Sequence, residues 1–264
     1  MKWPETLSGL VKVVSYAAGL LLLWQIVIWI VHPAHWLFPS PQAVFDRMMR
    51  LADSGQLWRH VGVTLAEVFS GFFGGSLLGF VLGYSLSRFP RFEKLVSPLL
   101  VASNSVPVVA FAPLLLLWFG SGFKTKSIVA AVMVFLPVAL NTLQGFRSVR
   151  DVHRRLMFSL HANRRQVFIL LDLPSAMPAI LTGLKIAAPL AVVGAVVGEF
   201  LGTWEGLGFL ILDANARLDT PQLFVALFCL SWVGMGLYFA IQFLEIRLLG
   251  PQIRTKLPGN PVQL

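Results

Sequence analysis

Long apolar runs alternate with short polar breaks along this chain, and the runs have the length of membrane crossings. A helix needs roughly 20 apolar residues to cross a hydrocarbon core. Six runs reach or approach that length: Val13–Val31, Val61–Leu86, Leu95–Phe119, Ser127–Phe146, Met177–Leu201 and Pro221–Leu244. Backbone groups in lipid have no water to bond, so each run is expected to be a helix. The pattern predicts an all-α, polytopic membrane protein with six transmembrane helices, forming one domain over 1–264. The first run is too long for the apolar core of a secretory signal, and no small-x-small site follows it; it is expected to be a retained anchor.

The runs carry their own punctuation. Gly71, Gly75, Gly79 and Gly83 recur every fourth residue in the second run, and Gly194, Gly198 and Gly202 do so in the fifth. That spacing lines one helix face with small residues and predicts close approach of neighbouring helices. The third run contains Pro107 and Pro113, which predict a kinked or broken helix. Ser103, Asn104 and Ser105 beside the break either line a pathway or bond neighbouring helices. Asn141 in the fourth run and Glu199 at the end of the fifth are further pathway candidates, an ionisable group being expensive in lipid. Glu67, near the outer end of the second run, is either an interfacial residue or part of a polar path, the former being favoured. Between the first two runs, Ser40 is placed to cap a short amphipathic outer helix from Pro41 to Asp53.

One break is longer and more basic than the others. Residues 147–176 predict a helical elbow. Val152, Leu156 and Leu160 fall at i, i+4 and i+8 with Arg154 and Arg155 on other faces, the mark of an amphipathic helix. His161-Ala162 breaks it, and Asn163 is a good N-cap for a second short helix from Arg164 to Asp172. Leu173-Pro174 is expected to end that helix, because the residue before proline is pushed out of the α region.

Composition agrees with a membrane protein: 56% of residues are hydrophobic and 12% charged, too little polar surface for a soluble globule. The formal charge of +9 would suggest nucleic acid if it were clustered on a soluble face, but its placement points to topology instead. With six spans and the termini inside, fourteen Lys and Arg fall in inner segments against six in outer ones. The excess predicts cytoplasmic termini and a cytoplasmic elbow. Cys229 has no partner cysteine, and His32 and His35 lack further ligands, so neither a disulfide nor a metal site is expected. No G-x-x-x-x-G-K-[ST] occurs, so the chain is not expected to hydrolyse ATP. Acid–base pairs within the membrane would favour an ion-coupled carrier; Lys185 and Glu199 stand too far apart on one helix to form one.

The elbow resembles the EAA loop of the permease subunits of binding-protein-dependent ABC importers: Glu-Ala-Ala, three residues, Gly, nine residues, then Ile-x-Leu-Pro. Aligned on Leu173-Pro174, Leu171 takes the apolar position, His161 the Gly position, and Arg155, Leu156 and Met157 the Glu-Ala-Ala positions. The second half matches and the first departs. Asn163 to Phe168, Pro174 to Pro178 and Thr182 to Lys185 are close to the family wording, as are Leu37 to Pro41, Ala112-Pro113 to Gly120, Phe135 to Gly145 and Gly206-Leu-Gly208. Together these resemble the branch serving sulfonates, taurine and nitrate.

The resemblance implies a multi-pass subunit of the bacterial inner membrane, working as a homodimer and binding no nucleic acid. A cytoplasmic ABC ATPase would supply ATP and Mg, leaving no cofactor on this chain, and an extracytoplasmic binding protein would deliver the solute. The ATPase-coupling residues would be Arg155, Leu156, Leu160, His161, Asn163, Arg164, Gln166, Phe168, Leu173 and Pro174. Arg155 in place of an acid reverses a charge on that face, and His161 in place of Gly occupies a position suited to a left-handed turn. Sulfonates, nitrate, aromatic acids and pyrimidine or flavin precursors are all open as substrates. The rival reading is an ATP-independent channel or secondary carrier.

Overall fold

The computed structural model describes residues 3–32, 37–104 and 108–254. His35, Ser105 and Pro107 lie outside the described residues, as do the side chains of Ser103 and Asn104. Every element described is helical. Helices α1 (Trp3–Val31), α2 (Pro41–Asp53), α3 (Gln56–Arg88), α4 (Pro90–Asn104), α5 (Ala112–Phe119), α6 (Phe123–Arg147), α7 (Asp151–Ser159), α8 (Arg164–Val167), α9 (Leu173–Glu199), α10 (Leu207–Arg217) and α11 (Thr220–Arg254) follow in order.

Four of these stretches are long and apolar enough to cross a membrane: Gln56–Arg88, Phe123–Arg147, Arg164–Glu199 and Thr220–Leu249. They correspond to four of the six expected spans. The first contributes a shorter apolar segment, Ala18–Val31. The third is not one helix: α4 stops at Asn104, a 3-10 turn occupies Val108–Phe111, and α5 begins at Ala112. Pro113 stands in the first turn of α5, where a proline's missing N–H leaves no helical bond unmade.

Helix α6 is the axis of the bundle, and glycine is what lets its neighbours reach it. A methyl placed on Gly71 or Gly75 would overlap Ala130 Cβ or the Ala131 carbonyl. One on Gly79 would stand 2.6 Å from the Phe135 carbonyl oxygen. From α9, the same addition at Gly194 would lie 2.6 Å from Ala130 Cα, and at Gly198 2.8 Å from Lys126 Cα. Both stripes therefore press backbone to backbone on one helix, where dispersion contacts are densest. Gly202 departs from the expected stripe; it lies beyond α9 at φ +116° with open space around it. A core of Val68, Phe72, Val134, Val138, Leu181 and Ala188 fills the angles between α3, α6 and α9.

Helix α2 forms where expected: Ser40 Oγ accepts from the Ala43 N–H at 3.2 Å, with Pro41 opening the helix. Rather than lying free, it is anchored through Arg47, which pairs with Asp219 at 2.7 Å and donates to Gln222. The Trp24 indole donates to the Pro39 carbonyl at 3.1 Å and packs on Phe38 and Phe224, tying α1 to α11. The segment after the fifth run carries α10.

The elbow end and the polar knot at the opposite end

At one end of the bundle, α7 and α8 build the elbow. Helix α7 closes with paired bonds, Ala162 N–H to Met157 O and His161 N–H to Phe158 O, both at 3.0 Å. This is a Schellman closure, and its C′ residue His161 sits at φ +58°. The position aligned with the family's Gly is thus left-handed, and His occupies it at a modest steric cost. Asn163 then opens α8 with a reciprocal capping box. Its Oδ1 accepts from the Gln166 N–H at 2.9 Å, and its own N–H donates to Gln166 Oε1 at 2.8 Å.

The expected stop at Leu173-Pro174 is overturned. Phe168–Asp172 forms a single π turn that passes directly into α9, so Arg164–Glu199 is one continuous helix. Proline inside an α-helix meets the carbonyl of the turn before it; a widened turn with Leu173 N–H bonded to Phe168 O makes room for the ring.

The expected coupling residues divide into two groups. Arg155, Leu156, Leu160, His161, Asn163, Arg164 and Gln166 are exposed, with Leu156 at 57% and Leu160 at 69%. Phe168 and Leu173 point inward instead. Phe168 packs on Tyr84 (centroids 5.4 Å) and Phe146 (6.1 Å), and Leu173 joins Phe146, Ala176 and Ile180. Pro174 is exposed on the first turn of α9.

Sequence reasoning missed what fastens the elbow. Asp172, wholly buried in the π turn, receives Arg154 Nε from α7 at 2.9 Å and an Arg88 guanidinium nitrogen from the end of α3 at 3.1 Å. Arg154 also donates to the Phe146 carbonyl at 3.3 Å. One carboxylate thereby ties three elements. The signal was present in the chain, since an acid flanked by Leu171 and Leu173 is buried only when paired.

A second polar cluster sits at the opposite end. Glu199 is wholly buried; Thr64 Oγ1 donates to its Oε1 at 2.6 Å, and the Gly208 N–H donates to its Oε2. The Leu207 N–H donates to Thr64 Oγ1 at 2.8 Å, and the Gly206 N–H donates to His60 Nδ1 at 3.0 Å. Gly206, at φ +112°, lies so close to the Glu199 carboxylate that any Cβ would overlap it. Gly206-Leu-Gly208 is therefore a backbone cradle for one acid.

Beside it Glu67 pairs with Lys126 at 2.6 Å, both buried. Lys126 belongs to the first turn of α6, so the pair joins α3 to α6. The pair lines a cavity of about 700 Å³ together with Trp58, Arg59, Trp204 and Glu205. A second acid–base pair, Lys185 with Glu245 at 2.7 Å, joins α9 to α11. Asn141 Nδ2 donates to the Pro137 carbonyl at 2.8 Å, and its Cβ lies against Gly183. The structure thus sets Asn141 and Glu199 in helix contacts rather than on this cavity's wall. Among the described residues no cluster of metal-ligating side chains occurs.

An all-helical, glycine-packed bundle with four helices long and apolar enough to cross a membrane defines the class: a polytopic membrane protein. The chain belongs to the family "Binding-protein-dependent transport system inner membrane component", whose pattern matches residues 75–249. It is 36% identical over 240 residues to the "Probable ABC transporter permease protein" of Haemophilus influenzae, covering 91% of this chain and 97% of that one. It is 38% identical over 230 residues to "Formylaminopyrimidine transport permease protein ThiX" of Halalkalibacterium halodurans, covering 87% and 91%. Its fold is similar to a chain of the MetNI methionine ABC transporter in inward-facing form, with a TM-score of 0.59 and 19% identity over 75% of this chain and 96% of that one. The protein is therefore an ABC transporter permease, a translocation subunit of the inner membrane rather than an enzyme.

Proposed function

We propose that this permease imports a small solute under the drive of a separate ATPase, which docks on the elbow formed by residues 147–176. The observation that supports the reading is the exposed apolar stripe of Val152, Leu156 and Leu160 on a helix tied to the bundle by the Arg154–Asp172 ion pair. A stripe of that kind, rimmed by Arg155 and Arg164, suits a protein groove better than water. On this reading the elbow end faces the cytoplasm, two copies of the chain form the pathway, ATP and Mg reside on the ATPase, and a binding protein delivers the solute at the far end. The whole chain acts as one permease domain. Sulfonates, nitrate, aromatic acids and pyrimidine or flavin precursors are the solute classes proposed, and the relative named for formylaminopyrimidine supports the heterocyclic end of that range.

Cross-linking tests the docking. Cysteines at Leu160 and Gln166 are expected to capture a nucleotide-hydrolysing neighbour in native membranes; capture of none overturns the reading. A second reading has its own support, because Lys126–Glu67 and Lys185–Glu245 are acid–base pairs within long apolar helices. An ATP-independent carrier would transport solute in vesicles holding this chain alone. The importer reading expects transport only when the ATPase is added with ATP.

A further inference from the structure

A pocket of about 720 Å³ opens between the last turn of α3 and the elbow, and its chemistry is one-sided. Arg88, Arg154, Arg164 and Arg165 line it, with Tyr84 and Phe89 among its aromatic walls. Arg88 and Arg154 share the single buried carboxylate of Asp172, whose two oxygens are thereby both engaged. Arg88 is further held by the Tyr84 hydroxyl at 3.2 Å and lies over the Tyr84 ring at 5.4 Å. Asp151 is 3.8 Å from Arg154 but is largely solvated. Arg164 and Arg165 enter no ion pair among the described residues and are exposed. Four guanidinium groups thus face a space in which one acid is committed inward.

Position decides between the anions that such a pocket would accept. Arg88 ends the helix Gln56–Arg88, two residues past the apolar run Val61–Leu86, so this wall of the pocket lies where that span meets water, while Arg164 and Arg165 reach it from the elbow. Phe89 on its rim, and Ile169 and Leu170 on the adjoining turn, are large apolar side chains left exposed, as a lipid-facing surface requires. The docking stripe of Leu156 and Leu160 does not line it. Basic pockets between transmembrane helices at this depth match phospholipid head groups, and guanidinium forks match phosphate oxygens.

We infer that this pocket is a binding site for the phosphate head group of an anionic phospholipid, seated between α3 and the elbow with its chains along Phe89 and Leu170. Such a lipid would brace the elbow against the bundle, complementing the Asp172 tie. The inference requires that the chain sits in a bilayer; Arg164 and Phe168 are also proposed to couple to the ATPase, so lipid retention and ATPase retention are read separately in the test.

Native mass spectrometry of the full-length protein, released from micelles containing equal amounts of phosphatidylglycerol and phosphatidylethanolamine, provides the test. Selective retention of phosphatidylglycerol is expected. The double variant Arg164→Gln/Arg165→Gln should bind it about thirtyfold more weakly, as removal of two interfacial cations implies. Arg164→Lys/Arg165→Lys should keep most of the retention, showing that the fold tolerates change there. Arg247→Gln, at the same end but outside the pocket, should change nothing. Equal retention of the two lipids, or an equal loss on Arg247→Gln, overturns the site in favour of diffuse attraction. Displacement by millimolar inorganic phosphate overturns the lipid in favour of a soluble anion. Undiminished lipid retention by the glutamine variant, with loss of a co-purifying ATPase, assigns the arginines to a protein partner instead.

Discussion

Glu199 shows how a single acid dictates its surroundings. A carboxylate withdrawn from water is tolerated only when its lone pairs are bonded, and here the donors are a threonine hydroxyl and a backbone N–H. The backbone can come so near only because residues 206 and 208 have no side chain, and Gly206 also needs its positive φ. Gly206→Ala is expected to lower stability by at least about 1–3 kcal/mol, read as a fall in melting temperature in detergent. Gly234→Ala is the comparison, since its added methyl meets nothing closer than 3.7 Å inside a helix and should leave melting unchanged or slightly raised. Glu199→Ala separates two roles. If the acid secures the fold, membrane abundance drops; if it lines the solute's path, uptake drops while abundance holds. The bonding observed favours loss of abundance.

Among elements, α6 carries the largest share of packing, and the stripes facing it make a testable asymmetry. Gly79→Ala pushes a methyl toward a main-chain carbonyl that has nowhere to go, and overpacking of this kind costs about 1–3 kcal/mol. Gly74, one position before Gly75, has open space at its Cβ, so Gly74→Ala should instead gain up to about 1 kcal/mol from helix propensity. Chemical denaturation of the two variants side by side checks both signs. The stripe itself was legible in the sequence, because a four-residue period of glycine has few other uses in a helix. So were the capped start of α2 and the Asn163 cap, which depend on neighbours in sequence. The sequence hid whatever depended on distant partners: nothing near Glu67 in the chain pointed to Lys126, and Asp172 looked like the polar end of a short helix. Leu173-Pro174 misled for a different reason, since a local rule about proline was overridden by a π turn that the surrounding packing supports.

At the scale of the whole molecule, the continuity of Arg164–Glu199 joins the two polar clusters mechanically. A helix of 36 residues is about 54 Å long, and it runs from the capped elbow to the cradle around Glu199. On the proposed docking, force applied at α7 would reach that rod through Asp172, which is bonded to both α7 and α3. Asp172→Asn keeps the shape and removes the charge, leaving Arg88 and Arg154 without a counter-ion; both are partly exposed, so water should hold the loss to about 1–2 kcal/mol. The exposed stripe of Leu156 and Leu160 is untouched by this change. An elbow that docks but no longer pulls on α9 should therefore retain its ATPase while losing transport. In reconstituted vesicles the variant is expected to co-purify with the ATPase as the wild type does, yet to import at least tenfold less solute per ATP hydrolysed. Leu156→Asp/Leu160→Asp should give the converse, loss of the ATPase from an intact bundle. If Asp172→Asn instead transports with unchanged stoichiometry, the buried carboxylate is no more than a local fastening, and motion must reach α9 through the Phe168, Tyr84 and Phe146 contacts.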